Sequence, residues 1–142
     1  MDTRVSAPSK ILAERSGLYR TPPNLSELRA QAVATGAEWL EADLGAVRDK
    51  AGLLSVLAAA LRVPAGFGAN WDALADSLQD LSWRTAPGYA LHLRHAERAR
   101  QALGPEWDRL IDVLRLSAHA WRQRGKPFIA IIDGAQELPA WP

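Results

Sequence analysis

The sequence predicts an α/β fold with a small three-stranded parallel sheet packed with helices, and three observations carry that prediction. Glu38-Trp39-Leu40-Glu41-Ala42-Asp43-Leu44 nearly alternates apolar and acidic residues, as a strand with one wet face does. Phe128-Ile129-Ala130-Ile131-Ile132 is apolar throughout, as a strand buried on both faces should be. Helical periodicities separate these segments, and strands joined by helical crossovers lie parallel with right-handed connections.

The remaining elements follow in chain order. Residues 1–10 lack periodicity and read as a frayed tail. Gly17-Leu18-Tyr19-Arg20-Thr21-Pro22-Pro23 reads as a short extended segment ending in a turn, because consecutive prolines block a helix. Ser26 is the expected N-cap of a helix that carries Leu28, Ala32 and Val33 on one face and stops at Gly36. Leu53, Val56, Leu57, Ala60 and Leu61 recur at three- and four-residue spacing and define a second helix. Pro64, Gly66 and Gly68 make a loop, after which Asn70 caps a helix running to about Leu81.

Pro87-Gly88 is a turn leading into the strand Tyr89-Ala90-Leu91-His92-Leu93. A helix over about residues 96–103 ends at Gly104, and Pro105 opens the next. That last helix carries Leu110, Ile111, Leu114, Ala118 and Trp121 on one face and ends at Gly125. The residues after the final strand, with Pro139 and Pro142, are expected on the surface. Trp39, Trp107 and Trp121 fit core positions best. The order is strand, two helices, strand, two helices, strand.

Bulk properties exclude several function classes. A chain of 142 residues with 48% hydrophobic and 23% charged residues is one folded domain with a real core. A net charge of +1 gives no global attraction to nucleic acid or an anionic membrane. The absence of cysteine excludes disulfides and thiolate metal sites and fits a reducing compartment. The N-terminus has no apolar signal segment, and Leu53 to Leu61 is too short to span a bilayer, so a cytoplasmic protein is expected. No Walker loop, dinucleotide fingerprint or Ser/His/Asp set can be placed, and no cofactor is expected.

One helix breaks the usual surface pattern. On a wheel of about 100° per residue, Trp71, Leu74, Leu78 and Leu81 fall in one arc, and Asp72, Asp76 and Asp80 fall opposite. Each Asp has a like charge one turn away, which costs a few tenths of a kcal/mol per pair. No Lys or Arg lies between Pro64 and Trp83, so this stretch carries −3 and the rest of the +1 chain carries +4. On the wheel alone, the stripe reads first as a solvated polar face.

Phe67-Gly68-Ala69-Asn70-Trp71-Asp72-Ala73-Leu74-Ala75-Asp76-Ser77-Leu78 resembles the signature of the barstar family. There a glycine-containing loop leads into an Asn-capped Asp-Ala-Leu helix with a second Asp four residues on. The resemblance covers residues 37–133, leaving 1–36 as an N-terminal extension, partly disordered with one helix, and 134–142 as a C-terminal tail. It implies a protein inhibitor of a ribonuclease, including an immunity protein against a nuclease toxin, acting as a monomer without direct contact to nucleic acid or membrane.

By that resemblance Asp76 enters a basic catalytic pocket and Asp72 pairs with a flanking cation, mimicking the substrate phosphate. Asp80 is an accessory, and the loop residues Gly66, Phe67, Gly68 and Asn70, with Ala75 and Trp83, complete the expected contact surface. Electrostatic steering of such a complex is best known from the family's own type member, so that expectation is part of the resemblance. Two departures stand out: Gly66 and Ala75 occupy positions where the type member has aromatic residues, and Ala120 stands where the family places another acid. Phe67 and Trp83 either compensate or belong to the core.

Three other sets have blander readings beside functional ones. His92 and His95, taken with Asp72 or Asp76, are conceivable as a metal site or acid–base pair, but His92 alternates with leucines and reads as a sheet-face residue. His119 reads as a surface residue. Arg94, Arg98 and Arg100 contact RNA on one reading and form a solvated face on the other. The second function class is an interaction module of the same fold with a non-nuclease partner. A hydrolase using Asp72 and Asp76 comes last, because exposed i, i+4 acids have no pocket to raise either pKa.

Overall fold

The computed structural model describes residues 10–142, so the expectation of a frayed tail at the N-terminus lies, but for residue 10, outside the described residues. The strands are β1 (Gly17–Arg20), β2 (Glu38–Asp43), β3 (Tyr89–Arg94) and β4 (Phe128–Ile132). The helices bounded within the described residues are α1 (Leu25–Ala34), α2 (Lys50–Leu61), α3 (Trp71–Asp80), α4 (Glu97–Leu103) and α5 (Pro105–Gln123), and residues 10–14 are helical as well. All strand pairs are parallel, in the order β1-β4-β3-β2.

The sheet therefore has four strands rather than the expected three. The fourth is β1, which pairs with β4 from Gly17↔Ile129 to Arg20↔Ile132. Its partner lies more than a hundred residues away, so no local periodicity could announce the pairing. The expected alternation of strands and helix pairs holds from β2 onward.

The two faces of the sheet are covered by different parts of the chain. On one face Leu40, Ala42, Leu91, Leu93, Phe128, Ala130 and Ile132 join the leucines of α2, α3 and α5 in the main core. On the other, Ile129 and Ile131 pack with Leu12 and Leu28, and Ala90 packs with Ala32 and Ala37. Every residue of β4 is buried, which is why no polar residue interrupts it. Its second face is buried by the segment that precedes β2.

Local chemistry sets the helix ends. The Asp49 carboxylate accepts from the Gly52 N–H at 2.8 Å and starts α2. α1 starts at Leu25 with Asn24 as its N-cap, not Ser26. Pro22 and Pro23 keep the residues before them out of helical conformation, and a turn at Pro23 and Asn24 leads straight into the helix. The Asn24 side chain donates to Glu27 Oε2 at 2.9 Å instead of capping. Pro105 opens α5 directly after Gly104, which has φ 54°.

Pro139 and Pro142 are exposed as expected, but the C-terminal segment is not a loose tail. Ala135 and Leu138 are buried in the main core, and Trp141 meets the Tyr19 ring edge-on at 4.9 Å. Buried apolar side chains outweigh the Pro signal that suggested a loose tail. Trp107 and Trp121 are buried as expected, whereas Trp39 is half-buried under Arg29, whose guanidinium lies 5.7 Å from the ring centroid.

The second layer is expected to carry substantial stability. Leu28 is 2% exposed on α1. Leu28→Ala should cost about 2–4 kcal/mol in urea unfolding. Val33→Ala on the outer face of the same helix should change stability by less than about 0.5 kcal/mol. Equal effects from the two would show that α1 is not docked on the sheet.

Candidate functional site

α3 is built to show one face. Asn70 has extended backbone, and its side-chain oxygen accepts from the Ala73 N–H at 2.7 Å, closing the first turn. Trp71, Leu74, Leu78 and the following Leu81 are buried, as the wheel predicts. Asp72, Asp76 and Asp80 are exposed on the far side. Their spacing puts them about 6 Å apart along the axis, so the row is about 12 Å long. Among the described residues, none of the three has a Lys, Arg or His partner within 4 Å, and only Asp80 takes a hydrogen bond, from Ser82 Oγ at 3.0 Å.

α5 holds this helix at both ends. Trp71 Nε1 donates to Glu106 Oε2 at 2.7 Å. At the other end the buried Trp121 Nε1 donates to the Leu78 carbonyl at 2.7 Å, and Arg124 Nη1 donates to the Gln79 carbonyl. These bonds satisfy carbonyls that a helix end leaves open and set a cation against its negative pole. Trp121 in turn packs edge-on against Tyr89 at 5.3 Å. Glu106 and Arg124 were not foreseen from the sequence: one anchors a core tryptophan and the other caps a helix far away in the chain, and neither role leaves a local pattern.

The loop before α3 bends by positive φ angles at Gly66 (97°) and Ala69 (50°). Ala69 adopts a left-handed conformation that costs an L-residue about 1 kcal/mol, so the entry to the helix is strained. Phe67 is half-buried and packs on the main core, and Gly68 is exposed. A side chain at Gly66 would meet no atom within 4 Å, but its φ is one that side chains rarely adopt. Ala75 is half-buried on the flank of α3. Trp83 is committed to the fold, since its Nε1 donates to the Leu61 carbonyl at 2.9 Å and its ring packs on the core. Ala120 is half-buried near the end of α5.

The histidines meet other carboxylates than Asp72 and Asp76. At the carboxyl ends of the strands, Asp133 accepts from Thr21 Oγ1 at 2.6 Å and the His95 N–H at 2.9 Å, and it bonds His92 Nε2 at 2.8 Å. Burial opposes ionisation of Asp133, but the bonds from Thr21, His92 and His95 outweigh it and hold its carboxyl below the ordinary 3.8. Asp43 is also lowered, first by the Gly45 N–H and then by His95. Among the described residues no group of three His, Cys, Asp or Glu is arranged to hold a metal. The arginines are not one patch either: Arg94 ends β3, Arg98 is exposed on α4, and Arg100 pairs with Glu137 at 2.8 Å.

A rigid row of unpaired carboxylates on a helix locked to a parallel α/β core defines a protein that presents a preformed anionic surface. The family model described as Barstar (barnase inhibitor) matches residues 37–133, more than half of the chain, and the protein belongs to that family. A search of curated proteins finds none that matches. No described helix is long and apolar enough to cross a membrane.

Two outcomes test this account of the site. Asn70→Ala should lower stability by about 1 kcal/mol, and Asp76→Asn should raise it by a few tenths, both read from denaturant midpoints. For Asp133 the folded pKa is depressed, so its stabilisation is complete above pH 3.8 and is lost as pH falls through the lower folded value. The stability gap between wild type and Asp133→Asn should therefore be widest near neutrality and shrink below about pH 4. A gap that grows on acidification would contradict the hydrogen-bonded carboxylate.

Proposed function

We propose that the protein inhibits a basic ribonuclease, immunity against a nuclease toxin included, by laying α3 across the enzyme's active site. Asp76 enters the catalytic pocket and Asp72 pairs with a flanking cation. Asp80 and the loop from Gly66 to Asn70 complete the contact, with Ala75 and Trp83 at its margin. The observation that carries the reading is the row of exposed aspartates without cationic partners on a helix clamped at both ends. A ribonuclease binds phosphate with clustered cations, and preordered carboxylates replace that phosphate without a large ordering cost. Inhibition of this kind is occlusion, performed by a monomer in the cytoplasm, and needs no cofactor.

A second reading, an interaction module with a non-nuclease partner, is favoured by one feature. The positions of the family's aromatic anchors hold Gly66 and Ala75, and the left-handed φ of Gly66 disfavours a side chain there. Co-purification with products of neighbouring genes separates the two readings, since the first requires a basic ribonuclease whose activity the protein suppresses.

For the inhibitor, Asp76→Ala should weaken the complex by about 2–5 kcal/mol, because an enzyme cation is left buried and unpaired. Its fold should be retained, as judged by denaturant unfolding. The association rate should fall as salt rises, because exposed charges are screened over about 10 Å at 0.1 M ionic strength. Full inhibition by Asp76→Ala, or an association rate indifferent to salt, would remove the acidic row from the mechanism.

A further inference from the structure

We propose that the cleft between β1 and α5 binds an extended acidic segment of a partner protein, which adds as a strand to the free edge of β1 and sets carboxylates on Arg115 and Arg122. This surface is separate from the acidic row of α3. Its β1 wall and Pro139 lie outside the residues that the family model matches.

The edge is open in a defined place. Among the described residues β1 is the outermost strand, with β4 on one side only. The Arg20 N–H points away from β4 and donates to the Pro139 carbonyl at 3.0 Å, so Arg20 is in the outward phase of the strand. Leu18, two residues earlier, shares that phase, and its N–H and C=O face the cleft while its side chain is buried in the core. The tail that occupies Arg20 does not bond to Leu18. The Ser16 N–H, in the same phase, donates to the Ala13 carbonyl, so among the described residues the N–H left open on this edge is that of Leu18, and such an open group is a template for another strand.

The opposite wall is cationic. Arg115, His119 and Arg122 lie at i, i+4 and i+7 on α5, within about 60° of arc, and all three are exposed. They line a cleft of about 360 Å³ with residues of β1. Among the described residues none of the three has a carboxylate within 4 Å, whereas Arg100 on α4 is neutralised by Glu137.

The two walls together select the ligand. A phosphate or a free carboxylate satisfies the arginines and the Leu18 N–H but leaves the Leu18 carbonyl facing a negative charge. A polypeptide supplies a donor and an acceptor to the strand edge and acidic side chains to the arginines at once. Alternation of side chains along an added strand sends every second residue toward α5, so acidic residues at alternate positions fit best.

Fluorescence anisotropy with a short labelled peptide of alternating Val and Glu tests the proposal on the full chain. Saturable binding is expected, weakened at least ~10-fold by Arg115→Glu with Arg122→Glu and at least ~10-fold by backbone N-methylation at the peptide's strand-pairing amides, each loss being about 1.4 kcal/mol. Asp72→Asn with Asp76→Asn should leave that binding unchanged. Absence of saturable binding, or equal affinity for the N-methylated peptide, overturns strand addition. Displacement of the peptide by inorganic phosphate beyond the effect of chloride at equal ionic strength would reduce the cleft to a simple anion site and overturn it too.

Discussion

Like-charge repulsion along α3 is the constraint around which the structure is organised. Asp72, Asp76 and Asp80 each face another carboxylate one turn away, and only Asp72 lies in the first turn, where the helix dipole favours an acid. Helix propensity alone would not keep ten residues ordered under that load. The compensation comes from below and from both ends: Leu74 and Leu78 in the core, the Asn70 cap, and the bonds from α5 to the helix. A surface that is unfavourable for folding is thereby kept fixed, and a fixed surface loses less entropy on binding than a loose one.

Much of this was legible in the residues. The cap, the wheel of α3 and the sequence of elements from β2 to β4 could be read because each depends on contacts within a few residues or on a period of two or 3.6. The all-apolar character of Phe128 to Ile132 even announced that something must cover a second face. It did not say what. Leu12 and Leu28 do so, from the other end of the chain.

The parts that escaped reading share one cause, long range in sequence. β1 has four residues and a single buried leucine, too little for a strand signature without its partner. Trp121 was recognisable as a core residue, but its bond to Leu78 depends on how two helices cross, and Arg124 reads as an ordinary terminal cation until Gln79 is beside it. The sequence allows His92 and His95 to meet the aspartates of α3, yet the parallel register carries them to the strand ends beside Asp133 and Asp43. Composition shows which charges exist, and topology decides which of them meet.

The pairing of β1 with β4 also imposes an order on folding. β1 precedes the other strands, yet its partner strand ends at Ile132, more than a hundred residues later. During synthesis it cannot enter the sheet until Phe128–Ile132 has left the ribosome. Contacts closing so large a loop are entropically late and slow. The segment from β2 to β4 can therefore condense before the edge is sealed, with β1 and then Pro139 arriving as the final pieces of the sheet's margin.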